Sequence, residues 1–343
     1  MSSPATTRSW VLGRRTGGRP VADMFDLVEE PLPAPGPGEF LVRTLWLGMD
    51  GGPISRLREG GNYAARIEIG DVMAGSAVGE VVASQHPDVE VGRRLSGPFG
   101  WREHALRTDT EGLFDVDPQR PASMALGLLG LHGLTARVGL LDVGTAQAGE
   151  TVVISATAGA VGLLVGQLAR RAGCRVVGIA GGPQKGRIVV EEFGFDACVD
   201  HRDPDVAAAL AQACPDGVDL YFDNVGGDLQ NAVMPAFNVF GRHILCGRIA
   251  LADLADPNVD PGLRDHNAVL VKRLRKQGFL VYDHLDRWPA VREELWALHE
   301  AGELRLPESV IDGFEGAPGA FVGMIEGDNI GRRLVHVADP VAS

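Results

Sequence analysis

Cysteine is scarce in this chain, with only four residues in 343, at positions 174, 198, 214 and 246. They are widely separated and none forms a C-x-x-C pair, whereas disulfide frameworks and zinc ribbons use tighter or paired spacings. We therefore expect free thiols and a reducing, cytoplasmic location. Residues 1–10 contain no apolar core of the kind a signal peptide carries, which agrees with that location.

Long apolar runs and an excess of basic residues are also missing. No stretch of 18 or more apolar residues is present, so no membrane-spanning helix is predicted. The chain has 32 Lys and Arg against 45 Asp and Glu, a net charge of −13. Such a surface repels phosphate backbones and anionic lipids, so we expect neither nucleic-acid nor membrane partners. A small anionic cofactor is still compatible with it, because backbone N–H groups and one or two local cations can hold one.

Two common catalytic motifs are absent as well. No G-x-S-x-G nucleophile elbow occurs, which argues against a serine hydrolase of that type. Residues 69–75 read IGDVMAG, without the Gly-His-Glu usual in zinc alcohol dehydrogenases, and the first third of the chain has no cysteine. A catalytic zinc needs three converging ligands, so we expect no metal site.

Glycine, in contrast, is abundant, with 46 residues in 343, against a usual content of about 7%. The excess indicates either many turns with positive φ or close approach of the backbone to a ligand. In the first third, glycine and proline separate short strands, which predicts a small antiparallel barrel. These predicted strands cover residues 10–14, 25–29, 39–47 and 78–83.

From about residue 122 the pattern changes to alternating strands and helices, which predicts an α/β fold with a doubly wound parallel sheet. The predicted strands are 151–155, 175–179, 197–200, 220–222 and 242–246, and the predicted helices include 123–131, 134–141, 161–172, 204–214 and 228–238. Short strands return at 308–312 and 332–337. We therefore expect a discontinuous first domain of residues 1–125 and 305–343, and a dinucleotide-binding domain of residues 126–304.

The strongest local motif is Ala156-Thr-Ala-Gly159-Ala-Val-Gly162, which follows a predicted strand and opens a predicted helix. A dinucleotide-binding turn needs a tight bend, close backbone approach to the pyrophosphate, and a small residue for helix–strand packing. The first glycine of G-x-G-x-x-G is missing, and small residues at such turns also serve packing alone. The flanking strands and helix favour the cofactor interpretation.

The end of the next strand indicates which nicotinamide cofactor binds. NAD sites usually place an acid about 20 residues after the glycine turn, to bind the ribose hydroxyls. Here the segment Ile179-Ala-Gly-Gly-Pro-Gln-Lys185 contains no acid. Lys185 could pair with a 2′-phosphate, and His201 could reach the same region. As an alternative, Lys185 is a solvated lysine at a helix start. The missing acid favours NADPH over NADH.

Several stretches carry a family resemblance over nearly the whole chain: residues 126–136 (LGLLGLHGLTA), 158–167 (AGAVGLLVGQ), 221–227 (YFDNVGG) and 327–331 (GDNIG). The chain resembles zinc-independent medium-chain dehydrogenases/reductases of the prostaglandin reductase and leukotriene B4 dehydrogenase group, which includes bacterial curcumin-type and plant alkenal reductases. The resemblance implies an N-terminal GroES-like barrel, a Rossmann domain, a cofactor cleft between them, and a homodimer joined through Rossmann edge strands.

The resemblance also implies a set of NADP(H)-binding residues: Thr135, Gly159, Ala160, Val161, Gly162, Lys185, His201, Asn224, Cys246, Gly247, Phe279, Leu280, Val281 and Asn329. In this set the glycine turn meets the pyrophosphate, and Lys185 matches the family's 2′-phosphate lysine. His201 stands where a tyrosine is usual. Asn224 approaches the ribose and nicotinamide, and residues 279–281 flank the nicotinamide.

The implied reaction is NADPH-dependent reduction of the C=C bond of an α,β-unsaturated ketone or aldehyde. A hydride reaches the β-carbon, and the resulting enolate is protonated by a side chain or water. The alternatives are a quinone or carbonyl/alcohol oxidoreductase on the same scaffold, and a catalytically silent NADPH-binding protein.

The substrate half departs from the family. Relatives usually carry Asp-Pro-Tyr-Met-Arg in the early loop, whereas this chain has Asp50-Gly-Gly-Pro-Ile54-Ser-Arg56. We assign Asp50 and Ile54 to a longer substrate loop, with Asp50 shaping it rather than acting as an acid. Ala252 falls where many relatives have a tyrosine. Tyr63 matches a loop tyrosine facing the pocket and is the first candidate donor, with packing or a lid role as its alternative. Tyr282 is the second candidate.

Overall fold

The structure, a computed structural model, describes residues 6–57, 65–250 and 265–341. Within these ranges the strands are β1 (Thr6–Leu12), β2 (Phe25–Pro31), β3 (Phe40–Gly48), β4 (Ala77–Ser84), β5 (Arg94–Gly97), β6 (His104–Arg107), β7 (Phe114–Asp115), β8 (Thr151–Ser155), β9 (Arg175–Ala180), β10 (Ala197–Asp200), β11 (Val218–Asp223), β12 (Phe237–Leu245), β13 (Arg275–Gly278), β14 (Glu308–Asp312) and β15 (Arg332–His336). The α-helices are α1 (Leu131–Arg137), α2 (Ala160–Arg171), α3 (Pro183–Glu191), α4 (Val206–Ala213), α5 (Asp228–Val233), α6 (His266–Lys272), α7 (Trp288–Glu300) and α8 (Ala317–Glu326).

The second half of the chain builds a parallel sheet with the strand order β10-β9-β8-β11-β12-β13. Every residue of β8 is buried, as expected for a central strand that helices cover on both faces. Strand order reverses between β8 and β11, and ligands of doubly wound sheets bind outside the carboxyl ends of the strands at such a reversal. The predicted Rossmann sheet is confirmed, and its cofactor edge lies after β8 and β11.

The first third forms a second sheet, in the order β14-β15-β3-β4-β5-β7, with β6 also paired to β3. This is the GroES-like barrel. The first two strands in this order, β14 and β15, come from the end of the chain: β15 pairs antiparallel with β3 and parallel with β14. Aromatic side chains fill its core, where the ring of Trp101 packs against those of Phe25 and Phe321. The hairpin of β1 and β2 stands beside this sheet.

Two predicted helical segments differ from the structure. In place of one helix over 123–131, a short 3-10 helix at Ala122–Leu126 is followed by α1 and then by a π-helical segment at Val138–Val143. Gly127, at the end of the 3-10 helix, has non-helical dihedral angles. The helix predicted over 228–238 ends at Val233, and Pro235 lies in a 3-10 turn before β12 begins. A proline lacks the N–H that a longer helix would need there.

Candidate functional site

The turn between β8 and α2 has the geometry of a dinucleotide site. Gly159 caps the helix in an extended conformation, and α2 runs for 12 residues behind it. A side chain at Gly162 would overlap the backbone of residues 156 and 157, so only glycine lets the helix pack this closely on the turn. The first N–H groups of a helix lack intrahelical partners and can bind an anion. The predicted residues Gly159, Ala160, Val161 and Gly162 all lie at this helix start.

A late loop from the barrel side closes on the same turn. Gly331 forms a parallel bridge with Gly159, and its N–H donates to the carbonyl of Ala158 at 2.8 Å. Gly331 has a φ of +70°, and a side chain there would collide with the carbonyl of Pro307. Asn329 is buried in this loop, with its amide nitrogen donating to the carbonyl of Gly331 at 2.8 Å. The fold therefore brings the predicted Asn329 to the glycine turn.

Asn224, at the end of β11, is held against β8. Its backbone N–H donates to the hydroxyl oxygen of Ser155, and its side-chain amide donates to the Ser155 carbonyl, both at 2.8 Å. The preceding residue, Asp223, is fully buried and organises the loop. Its Oδ1 accepts from the Ser155 and Tyr221 hydroxyls at 2.9 Å, and its Oδ2 lies 3.0 Å from Nε2 of His243.

Asp223 is a functional residue that sequence reasoning missed. Its Oδ1 also accepts the backbone N–H groups of Val225 and Gly226 at 2.9 Å, so one carboxylate fixes the whole start of the loop. Burial opposes ionisation, but hydrogen bonds from His243 and these N–H groups outweigh it and lower the pKa of Asp223. The available sequence signal was an acid directly after the apolar run of residues 220–222.

Cys246 and Gly247 follow β12 and lie beside the Asn224 loop, because the backbone N–H groups of both donate to the carbonyl of Asp223, at 2.8 and 3.0 Å. Burial, aided by the negative charge of Asp223, raises the pKa of the Cys246 thiol to about 12. The thiol is therefore neutral near pH 7.

Lys185 and His201 lie where β9 and β10 end. Lys185, on α3, donates through Nζ to the carbonyl of Gly327, in the loop that carries Asn329. Burial lowers the pKa of Lys185; the negative charge of Asp328 opposes this shift, while the charges of Arg202 and Arg333 add to it. The His201 N–H donates to the carbonyl of Ala180 at 3.0 Å, which joins the two strand ends. Sequence reasoning passed over Arg202, although it directly follows His201.

Residues 279–281 follow the edge strand β13. The ring of Phe279 packs edge-on to that of Phe222, with centroids 6.3 Å apart, and so contributes to the core beneath the cofactor edge. Leu280 is exposed, and Val281 begins the 3-10 helix Val281–Arg287, which also carries Tyr282. Tyr282 is 55% exposed. Thr135 is half-buried on α1.

Asp50 stands in a polar cluster just after β3. Its Oδ1 lies 2.8 Å from Nη2 of Arg332 and 3.3 Å from Nε2 of His132, and the Ser76 hydroxyl donates to its Oδ2. Although burial opposes ionisation, the charge of Arg332 and the contacts with His132 and Ser76 hold the pKa of Asp50 well below its usual range. Burial and the same Arg332 charge lower the pKa of His132.

Arg332 is the centre of this cluster and is only 2% exposed. Its guanidinium also donates to the carbonyls of Leu126 and Met49, at 2.6 and 2.5 Å. It thus joins β15, the end of β3 and the segment before α1. This geometry agrees with the loop-shaping interpretation of Asp50.

Of the other residues predicted on the substrate side, one lies in the barrel core and two lie outside the described residues. Ile54 lies in the 3-10 helix Gly52–Leu57 and is 3% exposed, packed in the barrel core. Close by, a methyl group placed on Gly51 would lie 3.6 Å from Cδ1 of Ile249, so this loop meets the segment after β12. Tyr63 and Ala252 lie outside the described residues.

Comparison with known proteins decides the family. Residues 8–116 match a family described as the N-terminal domain of oxidoreductase, and residues 160–297 match one described as zinc-binding dehydrogenase. An NADPH-dependent curcumin reductase of Escherichia coli is 39% identical over 335 residues, 96% of this chain and 97% of that protein. A 2-alkenal reductase (NADP+-dependent) of Nicotiana tabacum is 37% identical over 306 residues, 88% of each chain.

The chain belongs to the zinc-independent medium-chain dehydrogenase/reductase family. Among solved structures of this family, CurA from Vibrio vulnificus is 36% identical, with a TM-score of 0.92 over 98% of this chain and 100% of that chain. The same protein in complex with NADPH gives a TM-score of 0.91, over 97% of this chain and 100% of that chain.

Two features of this family member concern metals and membranes. In the ranges that the structure describes, no three His, Cys, Asp or Glu side chains lie together in a way that could hold a metal ion. None of the helices in those ranges combines the length and apolarity needed to cross a lipid bilayer.

Proposed function

We propose that this protein reduces the C=C bond of α,β-unsaturated ketones and aldehydes with NADPH. The observation that carries the proposal is the cofactor edge, where the glycine turn before α2 meets both the Gly331 loop and the Asn224 loop. The curcumin and 2-alkenal reductases that the chain resembles support the same reaction type.

The described residues fit such a cofactor. The start of α2 offers N–H groups to a pyrophosphate, and Lys185 offers a cation to a 2′-phosphate. Asp200 is paired in register with Ala180 at the end of β9, but its Oδ1 accepts the N–H groups of Gly182 and Arg202, both at 3.0 Å. The carboxylate is thus turned to the backbone, which favours NADPH over NADH.

When bound, the cofactor supplies the hydride that the substrate's β-carbon accepts. The first contribution of the chain is to position the cofactor and the substrate. Asp223 fixes the Asn224 loop, the Gly331 contact fixes the opposite wall, and the Asp50 cluster fixes the loop that leads into the substrate side. Holding both reactants in line in this way lowers the entropic part of the barrier. The enolate formed by hydride addition then takes a proton at its α-carbon.

We propose Tyr63 as the donor for that proton or for a hydrogen bond to the carbonyl, and Tyr282 as the second candidate. The chain has three tyrosines. The remaining one, Tyr221, is fully buried and donates to Asp223, and burial raises its pKa well above the usual value. Tyr221 is therefore held inside the sheet by this hydrogen bond and is not a candidate donor for the substrate.

The experiment is to incubate the purified protein with NADPH or NADH and a panel of enones, enals, quinones and simple ketones, and to identify the products. We expect saturated carbonyl products and a preference for NADPH. An allylic alcohol or a hydroquinone as the main product would instead favour the carbonyl or quinone oxidoreductase alternative. Tight NADPH binding without turnover on any substrate would point to a non-catalytic protein. The absence of both NADPH binding and turnover would refute the proposal.

Three further properties belong to this proposal. We place the domain boundaries at residues 1–125 and 305–343 for the barrel domain and 126–304 for the Rossmann domain, because β14 and β15 join the barrel sheet.

We place the protein in the cytoplasm, because its four cysteines are free. We propose a homodimer formed through the edge strand β13, all of whose residues are exposed in a single chain.

A further inference from the structure

The ends of β9 and β10 leave the parallel sheet side by side. Ala180 and Asp200 are paired in register, so the segments that follow, Gly181 with Gly182 and His201 with Arg202, emerge together. β9 is also the direct neighbour of β8, which carries the glycine turn. A dinucleotide whose pyrophosphate lies at that turn places its adenosine ribose at the end of the next strand.

The guanidinium of Arg202 lies across this double-glycine turn. A methyl group placed on Gly181 would lie 3.3 Å from Nη2 and 3.4 Å from Nε of Arg202, and one placed on Gly182 would lie 3.5 Å from Nη1. All three guanidinium nitrogens therefore lie against two residues that have no side chains. Nε2 of His201 lies closer still, 2.8 Å from such a methyl group, so a larger residue at Gly181 would displace the side chains of both His201 and Arg202.

The charge of Arg202 acts on the carboxylate of Asp200, but the two side chains do not form an ion pair. Arg202 is exposed, and within the described part of the chain its guanidinium forms no ion pair. Asp200, two residues before it, directs Oδ1 to the backbone N–H groups of Gly182 and of Arg202 itself. The Asp200 carboxylate thus holds the backbone at this turn, and its Oδ1 hydrogen bonds go to backbone N–H groups rather than to the guanidinium.

A second cation, Lys185, lies three residues after Gly182 on the first turn of α3. Its Nζ is fixed by a hydrogen bond to the carbonyl of Gly327. Arg333, the next cation, is paired with Asp328. Within the described ranges neither Lys185 nor Arg202 forms an ion pair, although the charges of Asp328 and Asp200 act on them, and a phosphate between the two cations would relieve their repulsion.

We propose that Arg202 is the specificity-determining residue for the 2′-phosphate of NADPH, binding it with two guanidinium N–H groups while Lys185 contributes a single charge from the Gly327 side. This inference rests on the proposed use of NADPH. The chemistry follows from the two side chains: a planar guanidinium matches two phosphate oxygens at once, whereas an ammonium acts as a point charge.

The test measures dissociation constants by calorimetry for NADPH, NADH and adenosine 2′,5′-bisphosphate, with the wild-type protein, Arg202→Ala, Arg202→Lys and the control Arg187→Ala. Arg187 is exposed on α3, so its variant removes the same charge from the neighbouring surface. We expect Arg202→Ala to weaken NADPH and the bisphosphate by about tenfold or more, with NADH changed less than about twofold. Arg202→Lys should recover only part of the loss.

The outcomes separate the two proposals. If the wild-type protein binds NADH as tightly as NADPH, the proposed cofactor is wrong and the role of Arg202 is refuted with it. If the wild-type protein prefers NADPH but Arg202→Ala loses no more affinity than Arg187→Ala, NADPH stands and Arg202 is refuted. Equal losses for NADH and NADPH in Arg202→Ala would show a structural role and also refute the inference.

Discussion

Lys185 illustrates how one residue can serve both the fold and the ligand. Its Nζ donates to the carbonyl of Gly327, 142 positions away in sequence, and so joins α3 to the loop that carries Asn329. A lysine in this position is half-buried before any ligand arrives. Its charge is therefore available at a fixed place.

Lys185→Ala should raise the NADPH dissociation constant by about tenfold or more, because one charge-assisted hydrogen bond to the 2′-phosphate is lost. NADH, which lacks that phosphate, should change by less than about twofold. Fluorescence titration with both cofactors checks this. Equal changes would mean that the contact with Gly327 matters more than the phosphate, contrary to the assignment.

The two candidate tyrosines are distinguished by removing single hydroxyl groups. If Tyr63 donates in the reaction, Tyr63→Phe should lower kcat by about 100-fold, the lower end for loss of a general acid. Tyr282→Phe, on the exposed 3-10 helix, then serves as its matched control. The reverse pattern would transfer the role to Tyr282. Rates within about twofold of wild type for both variants would assign the proton to water.

At the scale of elements, the loop after β11 depends on a carboxylate inside the sheet. The carboxylate of Asp223 forms hydrogen bonds with groups on β8, on β12 and in the loop itself. The buried charge is compensated by these hydrogen bonds, which is the condition under which a buried carboxylate is tolerated. Strand and loop are therefore one cooperative unit at the cofactor edge.

Asp223→Asn should destabilise the protein by about 2–4 kcal/mol, because an amide cannot accept from all of these donors and places its own N–H₂ among them. It should weaken NADPH and NADH to the same extent, since the loop does not contact the 2′-phosphate. Denaturant unfolding and cofactor titration measure both effects, with the exposed Asp216→Asn as control. A selective loss of NADPH would contradict this role.

At the scale of the whole molecule, the Asp50 cluster links the barrel to the Rossmann side. Arg332 on β15 reaches Asp50, and Asp50 reaches His132 on α1. Removing one member of a buried pair leaves the other charge uncompensated. We expect Asp50→Asn to cost about 3–5 kcal/mol near pH 7.

The pH dependence of this effect has a definite sign. The folded pKa of Asp50 is lowered, and the unfolded value is near 3.9. Its stabilisation is therefore complete above about pH 4 and is lost as the pH falls towards the folded pKa. Urea unfolding at about pH 6 and pH 3 should show the gap between wild type and Asp50→Asn narrowing in acid. The exposed Asp283→Asn is the control, and a gap that widens in acid would contradict the assignment.

The edge strand β13 determines the expected assembly. An exposed strand edge offers unpaired backbone groups to another chain, and a two-fold axis would extend both sheets into one. Sedimentation should give twice the mass of the chain. Gln277→Pro, which removes a backbone N–H from β13, should shift the protein to monomer, while Gln277→Ala should remain dimeric. A wild-type monomer, or a folded dimer of the proline variant, would contradict this interface.

The sequence by itself determined the two sheet types, the central strands and the glycine turn. β8 and β9 were predicted to within a residue because a buried parallel strand is a continuous apolar run. The start of α2 was predicted because a glycine turn followed by helical periodicity is a local pattern. Helix ends were less predictable. α5 ends early because Pro235 and the following strand compete with it.

Only the tertiary structure decided which polar groups meet. Asp223 with His243, Lys185 with Gly327, and Asp50 with Arg332 are pairs whose members lie on different elements, far apart in the chain. Hydrophobic periodicity reports which face of an element is buried, but a buried carboxylate takes whichever donor the packing brings to it. For the same reason the sequence alone did not indicate a role for Arg202. Its guanidinium lies over two glycines only because β9 and β10 pair.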